Sequence, residues 1–385
     1  MTMLESQRAL FDLPREVAYF NAAGIGLLPR PVVEAGRAAV ARKAQPWRLA
    51  ADFADAQHQR ARDAAARLIG AAADDVALIS SVSYGVAVAG KILSHETGSR
   101  ILVLADDHAS PVLEWHARAP LEGVTLETVP KPASGDWTAA VLEAIERAGA
   151  PPVSLASISS VHWADGGVVD LAPVAAALRR QGGRLLVDAT QAVGVCEIDV
   201  ARLDPDFLVF PTYKWLLGPY GRAFLYVARR HQEGVPLEQT AFGRRDVRGE
   251  NAVYLADTRY RPDARRFDMG ERDHFISMEM AAIGMEMLLA WGPAAVARHL
   301  QGITRQIAEA AGEIGYSALP EPLRAPHILS LAPPGLAAAD LVAALSREQI
   351  FAAPRIGRLR VSPHLHNDGA DIDRLLEALR RLRGP

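Results

Sequence analysis

Between residues 76 and 228, short apolar runs alternate with longer stretches whose apolar residues recur at helical spacing. The runs are VALIS, ILVLA, VTLETV, VSLASIS, RLLVDA, DFLVF and AFLYVA, each of strand length. Such alternation predicts a mostly parallel sheet covered by helices on both faces, so residues 17–245 read as one large three-layer α/β domain. Helix punctuation agrees with this, because Asp170 stands where a side chain caps LAPVAAALRRQ and Gly182-Gly183 can end that helix just before RLLVD.

After Gly243 the pattern changes. A loop rich in Arg and Asp, RRDVRGEN followed by TRYRPDARR, leads to two long helical patterns, FISMEMAAIGMEMLLAW and PAAVARHLQGITRQIAEAAG. Short strands HILSLA, QIFAA and RLRVS are then interleaved with helices near 338–346 and 371–383. Residues 246–385 therefore read as a smaller C-terminal α+β domain, with the N-terminal segment 1–16 packing on it.

Composition narrows the function. A chain of 385 residues, 50% of them hydrophobic, can bury a large core. Its 42 basic and 45 acidic residues are interspersed and leave a net charge of -3, which gives no footprint for nucleic acid or an anionic membrane. The expected partner is a small molecule or a second copy of the chain. One cysteine, Cys196, rules out an internal disulfide framework, and the start MTMLESQRALFDLPRE is too charged for a signal peptide. With no apolar run near the ~20 residues of a spanning helix, the expectation is a soluble cytoplasmic protein.

The strongest chemical feature is Asp188 at the end of the apolar run Leu185-Leu186-Val187, followed by Lys214 in FLVFPTYKWLLGPYG. In an open α/β sheet the carboxyl ends of the strands form the ligand crevice, so an acid and an amine there can face one ligand from two sides. Pyridoxal 5'-phosphate needs that pair: a lysine for its aldehyde, and a carboxylate that keeps its pyridine nitrogen protonated. Spacing alone is equally compatible with a solvated strand-end Asp and a surface Lys.

The motifs VDATQAVG, TYKWLLGPYG and RLRVSPHLHNDGADIDRL, in that order, resemble those of the class V aminotransferase family. This is a family of fold-type-I PLP enzymes that includes cysteine desulfurases, isopenicillin epimerase-like proteins and kynureninase. The resemblance implies that Lys214 is the Schiff-base lysine and moves the α-proton, that Asp188 partners the pyridinium, and that Gln191 hydrogen-bonds the phenolic oxygen. It puts His108, in ADDHASPVLEW, at the position whose ring covers the cofactor face. Val82 and Ser83 match the phosphate-binding pair, usually two threonines, so one hydroxyl is missing, and Ser83 can equally be a plain helix cap. Tyr213 resembles the kynureninase-type phosphate contact, with Thr212 assisting. Arg360 matches the residue that holds the substrate α-carboxylate, and Asn21, in YFNAAGIGLLP, would lie near that substrate. A homodimer with sites at the interface is implied as well.

Some positions depart from the family pattern. ALSREQIFAAPRIGRL lacks the mobile cysteine of the desulfurases, and Cys196 reads as a packing residue. His162-Trp163 replaces the usual Ser-Asn, which leaves Trp163 to shape the substrate pocket. Glu271 stands where relatives offer a phosphate-binding threonine to the partner subunit, so either Arg265, Arg266 or Arg272 takes over that contact or the contact is absent. Rival readings are weaker. A nicotinamide site on Gly24-Ile25-Gly26 lacks its third glycine, replaced by Pro29, and a metal site on His364 and His366 lacks a third ligand at any usual spacing. A non-catalytic descendant of the scaffold would not need Asp188, Lys214 and Arg360 together. Within PLP chemistry the sequence leans towards transamination or a related deamination, then lysis of a C–S or other β-bond, then epimerisation.

Overall fold

The computed structural model describes residues 4–247, 255, 257–272 and 275–383. The second half of the loop RRDVRGEN lies outside the described residues. Every predicted run between residues 76 and 228 is a strand, and together they form one sheet. Its spatial order is Val76–Ile79, Ala223–Val227, Phe207–Pro211, Arg184–Asp188, Val153–Ser159, Arg100–Leu104 and Thr125–Val129. Ala223–Val227 is antiparallel to both its neighbours, and the other pairings are parallel. The reversal has a cause in the chain: the connection 212–222 holds no helix, and parallel strands need a longer crossover.

Side chains along these strands alternate between two buried layers. Leu78, Leu102, Val187, Leu208 and Phe224 enter one core, while Ile79, Ile101, Leu186, Val209 and Leu225 enter the other. Burial on both faces explains why the runs read as continuous apolar segments rather than as alternating ones. Asp170 caps the helix Leu171–Arg180 by accepting from Ala172 N at 3.1 Å, and Gly182 follows that helix at φ 74°. The helices Ser277–Trp291 and Pro293–Gly312 meet at a bend of 78° around Gly292, and no single described helix is long and apolar enough to cross a membrane.

Towards the C-terminus a three-stranded antiparallel sheet has Arg358–Val361 in the middle, flanked by Leu329–Leu331 and Ala353–Arg355. The run QIFAA does not make one strand. Ile350–Phe351 pairs in parallel with Ala18–Tyr19, and the chain resumes at Ala353 on the other sheet. The N-terminal residues join this region through the buried ion pair of Arg8 with Asp371 at 2.6 Å. Asp371 also completes a capping box with Asp368 at the start of the helix Gly369–Leu382.

A second buried cluster braces the edge strand Val76–Ile79. Asp268 accepts from Arg62 Nη2 at 2.8 Å, from Arg272 Nη1 at 2.7 Å and from Leu78 N at 2.8 Å, while Arg62 and Asp268 are both buried. Removing one partner of such a pair leaves buried charge uncompensated. Asp268→Ala is therefore expected to lower the unfolding free energy by about 3–5 kcal/mol in urea titration. Arg180→Ala, which breaks the exposed pair with Glu146, should change it by less than about 1 kcal/mol.

Candidate active site

The strand order reverses between Arg100–Leu104 and Val153–Ser159, because the chain leaves the first towards Thr125–Val129 and the second towards Arg184–Asp188. Loops diverging at such a point open a crevice at the carboxyl ends of the strands. Here the loop after Leu104 brings Asp107 and His108, the loop after Ser159 brings His162 and Trp163, and Asp188 ends the next strand. Lys214 comes from the reversing connection. That connection is folded tightly on itself, with Thr212 Oγ1 donating to Pro219 O at 2.6 Å and Gly218 N to Thr212 O at 2.9 Å. Gly26 closes on it from the N-terminal side, its N–H donating to Tyr213 O at 2.9 Å.

These loops enclose a cavity of about 330 Å³. Of the residues singled out from sequence, Val82, His108, Asp188, Tyr213 and Lys214 line it. Asp188 is buried, and its Oδ1 accepts from Thr190 N at 2.9 Å. Burial raises its pKa, while Thr190, Lys214 and His108 pull it back down. Lys214 is buried too, and burial lowers its pKa to about 8; Asp188 opposes the shift, and Arg360 and Arg355 add to it. Its Nζ lies 5.5 Å from the Tyr213 ring centroid, and among the described residues no carboxylate forms an ion pair with it. Tyr213 in turn stacks on Tyr220 at 4.0 Å.

His108 caps the helix Ala109–Glu122 and meets the Trp163 ring edge-on at 5.9 Å. Burial and the nearby Lys214 lower its pKa, which favours a neutral ring. Asp107 fixes the backbone beneath it, accepting from His108 N at 2.7 Å and from Ser159 Oγ at 2.7 Å. Burial raises the Asp107 pKa to about 6, against the pull of His162. His162 does not face the cavity. It stacks on Trp137 at 5.0 Å and pairs with Asp165 at 3.1 Å.

Beside this cavity Arg360 is buried with no carboxylate among the described residues. Its Nη1 donates to Trp163 O at 2.6 Å, its Nη2 to Asn21 Oδ1 at 3.3 Å, and its Nε has no partner. Burial, with repulsion from Arg355, lowers its pKa to about 9. Asn21, Trp163 and Arg360 thus come together, as the motif resemblance implies for the substrate side.

Other expected residues are placed differently. Ser81, not Ser83, caps the helix Val82–Ile92, since Ser81 Oγ accepts from Tyr84 N at 3.2 Å and Ser83 lies a turn position further on. Thr212 is fully buried with its hydroxyl proton committed to Pro219 O, so it holds the loop and does not open onto the cavity. Gln191 sits behind the wall, accepting from Trp215 Nε1 at 2.7 Å and donating to Ala23 O at 3.2 Å. The expected substitutes for Glu271 are engaged elsewhere: Arg265 with Asp74 and Asp263, Arg266 with the carbonyls of Arg261 and Gly234, Arg272 with Asp268. Glu271 itself is exposed, with φ 51°. His364 and His366 are buried against the backbone carbonyls of Trp215 and Tyr19. Cys196 lines a separate hollow of about 400 Å³, and burial pushes its thiol up to about 12.

Sequence reading missed Ser81, Asp107 and Arg222 in the cavity region. Asp107 stands next to a residue that was singled out, but its inward direction is set by the Ser159 contact. Arg222, in GPYGRAF, has no motif to mark it.

Residues 18–375 match the family described as aminotransferase class-V. YcbU of Bacillus subtilis, described as an uncharacterised aminotransferase, is 29% identical over 83% of this chain and 82% of its own length. Isopenicillin N epimerase of Streptomyces clavuligerus is 28% identical over 99% of this chain and 98% of its own. The fold is similar to that of the apo cysteine desulfurase of Thermococcus onnurineus NA1, with a TM-score of 0.84 at 21% identity, covering 99% of each chain. A C-DES mutant with glycine linked to its PLP cofactor also superposes with a TM-score of 0.84, at 21% identity, over 97% of this chain and 99% of that one.

A Cβ at position 26 would fall 2.0 Å from Lys214 O, a backbone atom that cannot swing away. Gly26→Ala is expected to destabilise the protein by about 1–3 kcal/mol in chemical denaturation. Gly302→Ala, on an exposed helix position with nothing within 4 Å, should stabilise it by about 0.5–1 kcal/mol.

Proposed function

Because this chain belongs to the class V aminotransferase family, whose members are PLP-dependent enzymes, we propose that its cavity carries out an aminotransferase-type reaction at the α-carbon of an amino acid. The observation that carries this reading is a set of buried ionic groups left without mutual partners: Lys214, Asp188 and Arg360. Buried charges are normally paired, so such groups are explained by a ligand that brings the missing charges.

The residues fit pyridoxal phosphate. Asp188 suits the ring nitrogen, Lys214 the aldehyde carbon, and the open start of the helix Val82–Ile92 the phosphate. When bound, the cofactor supplies an aldehyde that condenses with amines and a protonated ring that takes up electrons released at the α-carbon.

The remaining work falls to side chains. Lys214, with its pKa lowered to about 8, presents a neutral Nζ to a far greater extent at physiological pH than an ordinary lysine. That atom can attack a carbonyl and can hold the α-proton between steps. Burial raises the Asp188 pKa, and a cationic ring nitrogen would offset the cost of keeping its charge buried. His108, neutral and braced by Asp107, is suited to cover a flat ring. Arg360 offers a planar fork to the α-carboxylate, with Asn21 and the Trp163 carbonyl fixing the plane of the guanidinium. Cys196, half-buried in another hollow with a raised pKa, gives no support to sulfur transfer through a cysteine nucleophile. The homodimer implied by the family is part of this proposal, and size-exclusion chromatography with light scattering tests it.

Borohydride reduction of the cofactor-loaded protein should fix one pyridoxyl group on Lys214, found by peptide mapping, and a colourless protein that ignores added cofactor would sink the proposal. Cofactor capture needs the neutral amine, whose folded pKa of about 8 lies below that of a free lysine. The capture rate is therefore expected to rise about tenfold per pH unit below that value and to level off above it. Arg360→Lys should raise KM for the amino acid by about ten- to a hundredfold, read in steady-state kinetics. Incubation with a panel of amino acids, without a keto acid, should yield the pyridoxamine form. Release of pyruvate or sulfide would mean a β-lyase instead, and inversion of the substrate an epimerase.

A further inference from the structure

The reversing strand puts a cation in the cavity that no motif announces. Ile79 pairs with Ala223, so the antiparallel register sets Arg222 beside Ser80, next to the cap of the helix Val82–Ile92. Arg222 is 4% exposed and lines the same cavity as Ser80, Ser81 and Val82. Its Nε donates to Ser277 Oγ at 2.6 Å, which fixes the plane of the guanidinium, while its Nη1 is buried without a partner. No carboxylate forms an ion pair with it among the described residues. Burial alone lowers its pKa, to about 10, with no acid contributing. The adjacent helix start adds to this demand for an anion: the N–H groups of Val82 and Ser83 have no hydrogen-bond partner among the described residues.

We propose that Arg222 and the first N–H groups of the helix Val82–Ile92 form a binding site for a phosphate monoester dianion, the phosphate end of the cofactor. The inference rests on the pyridoxal phosphate reading and adds the residue that supplies the compensating charge. Val82 offers no hydroxyl, Thr212 has spent its own, and Arg265, Arg266 and Arg272 are engaged elsewhere. A guanidinium is charged at all working pH and forks onto two phosphate oxygens, so one arginine replaces more than the single missing hydroxyl. Its burial fits the same picture, since a cation held out of water without an acid is tolerated when a ligand completes it.

The test compares pyridoxal phosphate with pyridoxal, which keeps the aldehyde and lacks the phosphate. Uptake by the unliganded protein is followed by absorbance for the wild type, Arg222→Gln and Arg222→Lys. The expected result is that Arg222→Gln weakens pyridoxal phosphate binding by about ten- to a hundredfold and leaves pyridoxal binding within about twofold, with Arg222→Lys between. Inorganic phosphate should raise the Tm of the unliganded wild type and not that of Arg222→Gln, a readout independent of the aldehyde. If Arg222→Gln shifts both ligands equally, or neither, the inference is overturned while the cofactor reading stands. A wild type that takes up neither ligand overturns both.

Discussion

The cavity depends on keeping a buried amine and a buried carboxylate in one enclosure without letting them neutralise each other. Lys214 and Asp188 influence each other electrostatically, yet no ion pair joins them among the described residues. Contact would satisfy both charges and remove the reason to bind a ligand. Their separation comes from the fold: Asp188 is fixed by the parallel strand Arg184–Asp188 and by Thr190 N, and Lys214 by a loop tied to Gly26 and to its own Pro219 carbonyl. Each charge is therefore held in its unpaired position by contacts that do not involve the other.

The same logic extends outward. Arg360 and Arg222 are guanidiniums held in fixed planes by neutral acceptors rather than by acids. A neutral acceptor orients a cation and leaves most of its charge available. Where the protein does pair buried charge fully, as with Arg62 and Asp268 or Arg8 and Asp371, the pair lies in a structural joint. In these two joints the buried charge is matched by an acid, whereas at the cavity the two guanidiniums keep theirs for a ligand.

The motif positions were legible where chemistry is written in one residue type. Asp188, Lys214, His108 and Arg360 could be named from the chain because each stands in a short run with a recognisable context, and each is found at or beside the cavity. Thr212 shows the opposite case. It carries a suitable hydroxyl at a suitable position in the sequence, but Pro219 takes its proton. A hydroxyl is decided by the nearest acceptor, and spacing along the chain does not reveal which acceptor is nearest. Between Arg265, Arg266, Arg272 and no contact at all the sequence could not choose for the same reason, since each arginine has a local carboxylate or carbonyl that a linear reading cannot weigh.

By itself the sequence determined the layered sheet, through runs whose burial on both faces demands apolar residues at every position, and it determined the pair of ionisable residues at the strand ends. Only the tertiary structure decided which polar groups remain unpaired. The strand Ala223–Val227 reverses because its connection is too short to cross over, and that reversal carries Arg222 to Ser80 from far along the chain. Hydrophobic periodicity is a local property that a chain displays residue by residue. The absence of a partner depends on everything that folds around a group, and so it appears only in three dimensions.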